Sequence, residues 1–374
     1  MKKDIFILTM QTVNDKMQIK LVWKQNEFIN AHANTERGLT MQNPLRIGVI
    51  GLGLIGGLHA RIVHECPNAV LAAVTDINEG AARAAAERYG CQWYADFRRM
   101  CDEAALDAVC ICTPDQFHLE NALYAAKKGL HLLIEKPIAT TEREAREITA
   151  AAAQAGVRMM VAHVLHFDPR YAKLQEAIDQ GEIGDVIHMF FRRTNPRSNG
   201  RRLGGKVSIF HFIGVHDFEM MCSYMKCRPL RAYCQRVSKV NADIGCEDTV
   251  ISTITFENGA VATIELCWAL PENSALGINT YAEVVGVKGA GYVTIMDQGV
   301  SLITESNVYY PDTLHWPEYN GRIQGDLKEE IHHFVTATLD GTPYITNTEH
   351  AITAVKIIEA CFKSIETGLP VDIQ

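Results

Sequence analysis

Three glycines lie close together in the segment VIGLGLIGG, between an apolar run and a stretch that favours helix. Gly51, Gly53 and Gly56 have the GxGxxG spacing, which at a strand-to-helix junction is typical of dinucleotide binding. The first glycine permits a tight turn, the second lets the backbone approach a pyrophosphate, and the third allows close packing of helix and sheet. We expect Leu54 and Ile55 to bind the cofactor as well, because a helix N-terminus attracts phosphate. The alternative is that the glycines serve packing alone.

A carboxylate ends the next apolar run, AVLAAVTD. In a dinucleotide-binding turn, Asp76 would accept hydrogen bonds from the ribose hydroxyls and would repel a 2′-phosphate. No arginine follows it directly in TDINEG. The sequence therefore predicts NAD as the cofactor and makes NADP less favourable.

A second chemically active segment is HLLIEKPIAT, where Glu135, Lys136 and Pro137 follow a short apolar run. The run predicts a strand buried on both faces, and an unpaired charge at its end would be costly. The two charges either pair with each other or serve a ligand. In the second case Lys136 could hydrogen-bond a substrate hydroxyl and stabilise a developing alkoxide. Cationic NAD in the same pocket would lower the pKa of Lys136.

Short apolar runs alternate with helix-favouring stretches up to about residue 164. The predicted strands are residues 45–50, 69–76, 91–94, 106–113, 131–136 and 157–163. Apolar strands that alternate with helices predict a parallel sheet covered on both faces. Ligands collect at the carboxyl ends of such strands. Thr113, Pro114 and the Glu135–Lys136 pair should therefore share one rim with the glycine turn.

The pattern changes after residue 165 to long helices and period-two strands, with a hairpin signal at Asn258-Gly259. Thr346 and Glu349 have the spacing of a capping box near the C-terminus. We predict a Rossmann-type doubly wound α/β domain over 44–165 and an α+β domain with a large, mostly antiparallel sheet over 166–374. The C-terminal helix could pack back on the first domain. Residues 1–43 show no clear period and are interpreted as an accessory or disordered extension, or as an over-extended start.

Composition limits the class of protein. The chain has 374 residues, 47% of them hydrophobic and 21% charged, and a net charge of −8, which argues against nucleic acid or an anionic membrane as partner. Its 11 cysteines are scattered without a CxxC pair, so a reducing cytoplasm is expected. No apolar run approaches the ~20 residues of a membrane span. The N-terminus lacks the cleavage site of a secretory signal.

Three motifs together resemble the Gfo/Idh/MocA family of glucose–fructose oxidoreductase and inositol dehydrogenase: GLGLIGG with a following histidine, TPDQFH, and EKP. The resemblance extends from about residue 44 to the C-terminus and implies a two-domain oxidoreductase. It implies that Lys136 is catalytic. It also implies cofactor contacts by Thr113, Pro114, His118 and Glu135.

The family keeps a histidine in a stretch like GxHDxD, here GVHDFE. The resemblance makes His216 the general acid/base, a role that suits an imidazole near pH 7, with Asp217 as a substrate-site candidate. The alternative is a core histidine on an apolar helix. Many sugar and inositol dehydrogenases of the family carry an aspartate four residues earlier, where this chain has Phe212. His211, beside it, either compensates for that carboxylate or packs.

Two further histidines follow the sixth predicted strand in AHVLHFDPRY, where relatives often show a motif like H..RFNP. His163 matches that motif, and His166 stands where an arginine is common. Both are expected near the substrate or the nicotinamide. His163, His166 and Asp168 could also be read as metal ligands by type, but their spacing suits no familiar zinc site. No metal is therefore predicted.

The segment RRTNPRSNGRRLGGK holds six basic residues and no acid, against the sign of the whole chain. A solvated loop is the default interpretation. The alternative is a grip on an anionic substrate such as a sugar phosphate, an acidic sugar or a nucleotide-sugar. Arg193 and Arg197 are the candidates for that contact.

These features predict an NAD-dependent dehydrogenase or reductase that acts on a secondary hydroxyl of a sugar, cyclitol or nucleotide-sugar. Two alternatives stay open from the sequence. One is a redox-assisted glycosidase or lyase that regenerates its cofactor in each cycle, and the other is a non-catalytic sensor of dinucleotide. By analogy with the family, a homodimer or homotetramer is expected.

Overall fold

The computed structural model describes residues 7–13, 16–22, 43–274, 277–295, 299–306 and 308–373. Its contacts divide the chain into two units, residues 1–43 and residues 44–374. The first unit contains two strands, β1 (Ile7–Val13) and β2 (Lys16–Val22), which pair antiparallel. The sequence analysis assigned no regular element to this unit. The alternation of apolar and polar residues in KMQIKLV is the signal that could have found the second strand.

The first sheet of the larger unit is the predicted doubly wound parallel sheet. Its six strands are β3 (Leu45–Ile50), β4 (Ala69–Thr75), β5 (Gln92–Tyr94), β6 (Ala108–Ile111), β7 (His131–Glu135) and β8 (Met159–Ala162), in the order β5-β4-β3-β6-β7-β8. Every neighbouring pair is parallel. The connecting helices are α1 (Leu54–Glu65), α2 (Glu79–Tyr89), α3 (Phe97–Glu103), α4 (His118–Lys127) and α5 (Glu142–Ala155). The strand order reverses between β3 and β6, and such a switch point is where this fold binds ligands.

The second sheet is the predicted large, mostly antiparallel one. Its seven strands have the order β14-β13-β9-β12-β11-β10-β19, and only the β9–β12 pair is parallel. They are β9 (Val186–Pro196), β10 (Pro229–Val237), β11 (Thr249–Phe256), β12 (Val261–Leu270), β13 (Asn279–Gly286), β14 (Ala290–Thr294) and β19 (Val371–Asp372). The short strands β15 (Leu302–Ile303), β16 (Val308–Tyr309), β17 (Glu318–Tyr319) and β18 (Arg322–Ile323) form two separate ladders.

Five helices accompany this sheet: α6 (Pro169–Asp179), α7 (Arg197–Leu203), α8 (Val215–Met225), α9 (Asp326–Asp340) and α10 (Thr348–Thr367). A π-helical turn, Phe210–Gly214, leads directly into α8. Such turns are rare and occur often at functional sites. No helix in the described ranges is both long and apolar enough to cross a membrane.

The last two helices return to the first sheet. Ile331 and Phe334 of α9 lie in one buried cluster with Ile47 of β3, and Ile352 of α10 lies in another with Ile148 of α5. Full burial of such a side chain contributes roughly 1.5–3 kcal/mol. The core of the dinucleotide-binding half therefore includes residues from the end of the chain, which brings polar side chains of α9 close to its carboxyl-end rim.

Helix termini show where local sequence rules held. The Thr141 hydroxyl caps α5 by accepting a hydrogen bond from the Glu144 amide at 3.3 Å. The capping box expected from Thr346 and Glu349 is wrong by one residue. The cap of α10 is Asn347, whose side-chain oxygen accepts from the Glu349 amide at 2.8 Å. Asparagine is at least as good an N-cap as threonine, and the two neighbours compete for one position.

Candidate active site

The glycine turn has the geometry of a phosphate cradle. Gly51 adopts a φ of 89°, and a Cβ there would lie 2.8 Å from the Cys112 carbonyl oxygen. A Cβ on Gly56 would lie 1.9 Å from the Gly51 oxygen. Gly53 differs, because nothing lies within 4 Å of a Cβ built there. It is also the N-cap of α1, whose first turn has no side-chain cap and no acidic residue. Free N–H groups beside open space fit the pyrophosphate of NAD.

Asp76 stands at the end of β4 with its carboxylate fixed by the backbone. Oδ2 accepts a hydrogen bond from the Leu52 amide at 2.6 Å, and Oδ1 accepts one from the Asn78 amide at 2.7 Å. The first bond ties the carboxylate to the glycine turn itself. Each oxygen keeps a lone pair that a ribose hydroxyl can use.

Asp76→Ala is expected to weaken use of NAD and to relax the preference over NADP. Hydrogen bonds to a charged group are worth about 1.5–3 kcal/mol, so the KM for NAD should rise about 10- to 100-fold. The KM for NADP should rise less or fall, because the repulsion of its 2′-phosphate is removed. Steady-state kinetics with both cofactors measure this, with Glu87→Ala on the exposed face of α2 as control. An unchanged NAD/NADP ratio would show that Asp76 does not face the ribose.

The loops after β6 and β7 are joined by a buried histidine. The His118 ring nitrogens lie 2.8 Å from the Pro137 carbonyl oxygen and 2.9 Å from the Thr113 carbonyl oxygen. The Thr113 hydroxyl accepts a hydrogen bond from the Asn121 amide at 3.0 Å. Pro114 opens the turn that precedes α4. Both ring nitrogens of His118 thus face protein oxygens, and the contacts hold Thr113, Pro114 and Pro137 at one rim.

Glu135 pairs with a residue that the sequence analysis did not assign. Its Oε1 lies 3.0 Å from Nε2 of His59, a fully buried residue of α1. Its Oε2 accepts from the backbone amide of Lys136 at 3.2 Å. Burial alone would raise the pKa of Glu135, but the His59 hydrogen bond and the Lys136 charge outweigh it and lower the pKa. The histidine that follows the glycine turn was the available signal, since it belonged to the quoted family motif.

Lys136 reaches from the first sheet to the helix of the second half. Its Nζ donates a hydrogen bond to the Phe212 carbonyl oxygen at 2.8 Å and lies 5.1 Å from the centre of the Phe212 ring. Burial lowers the pKa of Lys136, partly opposed by the carboxylate of Glu135. Phe212 belongs to the π-helical turn and is four residues before His216. The lysine therefore touches the turn from which the His216 helix starts.

His216 lies on α8 as a neutral imidazole. Burial lowers its pKa well below 6.5, and the positive charges of Lys136 and Arg193 lower it further. Its Nδ1 is buried without a hydrogen-bond partner. The charge of Lys136 thus acts on the His216 imidazole, and their convergence on a substrate stays a prediction.

His163 and His166 have different surroundings. His163 is 2% exposed, neither ring nitrogen has a partner, and burial lowers its pKa to about 4. The His166 Nε2 instead lies 2.9 Å from both carboxylate oxygens of Glu219. Asp168 is bound by Arg170, with Nη2 at 2.6 Å. Among the side chains that the structure describes, His163, His166 and Asp168 do not form one set of converging ligand atoms, because Asp168 converges with His315 and Asp326 instead. His163 alone keeps free nitrogens for a ligand.

The basic segment is not a solvated loop, so that default interpretation is wrong. Its first residues finish β9, and the rest form α7 and the turn after it. Arg193 is buried and donates to Asp217 from Nε at 2.9 Å and from Nη2 at 2.8 Å. Strand alternation turns this arginine inward, where a carboxylate compensates its charge. This ion pair occupies the charged groups of both Arg193 and Asp217, which were predicted to contact the substrate. It also holds α8 against β9.

Two other predicted substrate residues lie at the edge of this region. The Arg197 Nε is buried without a partner at the start of α7. The His211 ring packs 5.6 Å from the Phe362 ring of α10, centroid to centroid, and burial lowers its pKa. The His211 ring thus packs against α10, while its Nε2 is buried without a hydrogen-bond partner, so both alternatives of the sequence analysis stay predictions.

Glu330 of α9 is a second site residue that the sequence did not reveal. It is fully buried, and neither carboxyl oxygen has a partner. Ligand-type atoms of His59, Glu135 and Glu330 all lie within 4.8 Å of one another. Burial raises the pKa of Glu330 well above 4.5, and the charge of Glu135 raises it further. A neutral carboxyl group therefore lies next to the Glu135–Lys136 pair.

We expect Glu330→Gln to stabilise the protein at high pH. The folded state holds a proton that the unfolded chain releases above about pH 4.5, so the free energy of unfolding falls as pH rises toward the folded pKa. Glutamine keeps the neutral shape and removes this loss. The Tm of the variant at pH 8 should exceed that of the wild type by roughly 2–4 °C, or about 1 kcal/mol, and the difference should shrink at pH 5. Calorimetry at both pH values tests this, with Glu87→Gln as control. A gain that is equal at pH 5 and pH 8 would contradict it.

Comparisons with known proteins agree with this geometry. Residues 45–163 match the model of the "Oxidoreductase family, NAD-binding Rossmann fold", and residues 171–291 match the "GFO/IDH/MocA C-terminal domain". The chain is 28% identical over 344 residues to the uncharacterized oxidoreductase YrbE of Bacillus subtilis (strain 168), covering 89% of this chain and 98% of that protein. It is 27% identical to the scyllo-inositol 2-dehydrogenase (NAD(+)) of the same organism, covering 89% and 97%.

A solved structure gives the same result for the fold. The probable dehydrogenase from Thermotoga maritima superposes with a TM-score of 0.74 at 25% identity, covering 88% of this chain and 99% of that one. The two family models span both halves of the larger unit, the region that holds the glycine turn, Lys136 and His216. The chain belongs to the Gfo/Idh/MocA family of oxidoreductases, with an NAD-binding Rossmann domain.

Proposed function

We propose that this NAD-dependent oxidoreductase oxidises a secondary hydroxyl of a cyclitol, with inositols as the first candidates. The observation that carries the proposal is the 2.8 Å hydrogen bond from Lys136 Nζ to the Phe212 oxygen, since it joins the lysine to the turn that precedes His216. Two groups needed for alcohol oxidation, a cation and a neutral base, thus belong to one site. Relatives that match nearly the whole chain, including one from Thermotoga maritima, are named as inositol 2-dehydrogenases.

Each residue has a defined role in this proposal. NAD, when bound, supplies the hydride acceptor. Lys136 donates a hydrogen bond to the substrate oxygen and stabilises the negative charge that develops there. His216, held neutral by burial, takes the hydroxyl proton. His163 offers a further unpartnered ring nitrogen to the same region.

Phe212 does not remove the lysine from the site. Its backbone oxygen holds Lys136 Nζ, and its ring covers the same ammonium group from 5.1 Å. The missing aspartate would have added a negative charge next to Lys136 and His216. Without it, the pKa of His216 stays low and the imidazole stays an acceptor. The chemistry proposed here therefore needs the neutral base and not a charged relay.

The test is reduction of NAD during incubation with inositol isomers, acyclic polyols, sugar acids and nucleotide-sugars, with NADP run in parallel. We expect absorbance of the reduced cofactor to rise with at least one inositol and NAD. Product formed from a glycoside without net reduced cofactor would replace this function by the lyase or glycosidase. NAD binding without turnover of any compound would replace it by the sensor.

Assembly and location remain part of the proposal. The outward face of the second sheet carries a row of register partners that includes Tyr292 and Tyr233, which are 63% and 38% exposed. The row also holds Phe190, Thr253, Thr263 and Glu283. Exposed aromatic side chains on an open sheet face are a favourable surface for a second copy, in line with the expected homodimer or homotetramer. All 11 cysteines are free thiols, which supports the expected cytoplasmic location.

A further inference from the structure

A further imidazole–carboxylate pair, after His59–Glu135 and His166–Glu219, lies outside every motif that the sequence analysis used. His315, between β16 and β17, has its Nδ1 2.8 Å from Oδ2 of Asp326, the first residue of α9. The Asp326 side chain is fully buried, whereas that of His315 is 12% exposed. One end of this pair is therefore anchored in the protein, and the other reaches its surface.

The exposed end of His315 faces a cleft. His315 lines a cavity of about 280 Å³ together with Tyr310, Asp312 and Trp316, and the opposite wall comes from the start of β13 and the end of β14. This volume is close to the lower limit for small-molecule sites, roughly 300 Å³. Aromatic and polar side chains are the lining that a polyhydroxylated ring requires.

A short series of contacts links the cleft to the His216 helix. Thr280 of β13 is the register partner of Arg193 on β9, and the Arg193 guanidinium is bonded to Asp217, the residue after His216. The cavity wall at Ile278 is only two residues before Thr280. The charge of His315 also acts on the pKa of His216, which agrees with this placement.

The pair is built for hydrogen bonding and not for a metal ion. Ligand-type atoms of Asp168, His315 and Asp326 lie within 4.8 Å of one another, but Asp168 is occupied by Nε and Nη2 of Arg170. Burial raises the pKa of Asp326 to about 6, so its carboxylate is ionised at pH 7. It then accepts from the Nδ1–H of His315. Burial would lower the pKa of His315, but this hydrogen bond to the Asp326 carboxylate outweighs burial and raises it, which favours the protonated ring whose Nε2–H is a hydrogen-bond donor.

We propose that His315, oriented by Asp326, is a substrate-binding residue whose Nε2–H donates a hydrogen bond to the hydroxyl adjacent to the one that is oxidised. The proposal rests on the proposed function and deepens it, because it makes a vicinal diol on a ring the substrate class. His315 and Asp326, both in the C-terminal half, would then provide a polar contact to the substrate that the Phe212 side chain cannot make. His315 would select the substrate, whereas Lys136 and His216 would carry out the reaction.

The test is a cycle of two enzymes and two substrates. Wild type and His315→Phe are assayed with the best inositol and with its analogue deoxygenated at the neighbouring carbon. We expect the wild type to discriminate against the deoxy analogue by about 10- to 100-fold in kcat/KM, the effect of one hydrogen bond of about 1.5–3 kcal/mol. His315→Phe should lose this discrimination, with most of the change in KM.

The Asp326→Asn variant tests whether the Asp326 carboxylate orients His315 or only fills space in the core. An asparagine oxygen still accepts from Nδ1–H but carries no charge, so we expect an intermediate rise in KM of about 3- to 10-fold with unchanged NAD affinity. Asp340→Asn, the same change on the exposed end of the same helix, is the matched control and should match the wild type. Equal discrimination by wild type and His315→Phe would overturn this inference alone. Failure of the wild type to oxidise any polyol would overturn it together with the proposed function.

Discussion

Lys136→Ala is expected to abolish turnover while NAD binding is retained. Removal of one donor to a developing oxyanion costs about 10²–10³ in kcat, and loss of the ammonium charge removes more, so we expect a decrease of about 10³-fold or greater. The glycine turn and Asp76 lie on other strands and do not contact Lys136. The Kd for NAD should therefore stay within about threefold of the wild-type value. Initial rates at saturating substrate and titration of intrinsic fluorescence with NAD measure the two quantities.

The controls for this variant must distinguish the loss of the Lys136 ammonium charge from a loss of folding stability. Lys128→Ala removes an exposed lysine at the end of α4 that pairs with Asp102, and it should leave turnover unchanged. Lys136→Ala also leaves the Phe212 carbonyl oxygen, in the π-helical turn, without the hydrogen bond that Lys136 donates to it. A lowered Tm with normal kcat would assign Lys136 a structural role only. Turnover within tenfold of wild type would refute the catalytic role.

The sequence predicted those residues of the site whose position is determined by the strand directly before them in the chain. A parallel strand places whatever follows it on the carboxyl-end rim, so Gly51, Thr113 and Lys136 could be assigned to one edge without coordinates. Hydrophobic runs predicted β3, β4, β6, β7 and β8 well because these strands are mostly buried, whereas the edge strand β5 is largely exposed. The Asn258-Gly259 turn likewise joins β11 to β12 as expected from its residues.

The rest depends on contacts between distant segments. Glu330 and Asp326 lie near the site because α9 packs on the first sheet. No local sequence pattern predicted this packing. Arg193 was read as part of a solvated loop because six basic residues dominated its neighbourhood. Its actual partner, Asp217, is 24 residues away and becomes adjacent only when α8 packs on β9. Pairing of buried charges is a tertiary property, and single-sequence patterns carry little information about it.

His216→Asn is the second change with a large expected effect. A positioned general base contributes about 10²–10⁴ to the rate, and asparagine keeps hydrogen bonding but cannot take the proton. We expect kcat to fall by about that factor with little change in the Kd for NAD. His188→Asn, which alters an exposed histidine bonded to Glu283 on the second sheet, should behave as wild type.

The pH dependence of kcat/KM is an independent test of His216 as the general base. A base works only when it is unprotonated, and burial together with the charges of Lys136 and Arg193 lowers the pKa of His216 well below 6.5. Wild-type kcat/KM for oxidation should therefore stay constant as pH falls through 6.5, where an ordinary histidine would already be half protonated, and should decline only at lower pH. His216→Asn should lack this decline. A wild-type inflection at or above pH 6.5 that persists in His216→Asn would assign the proton transfer to another residue.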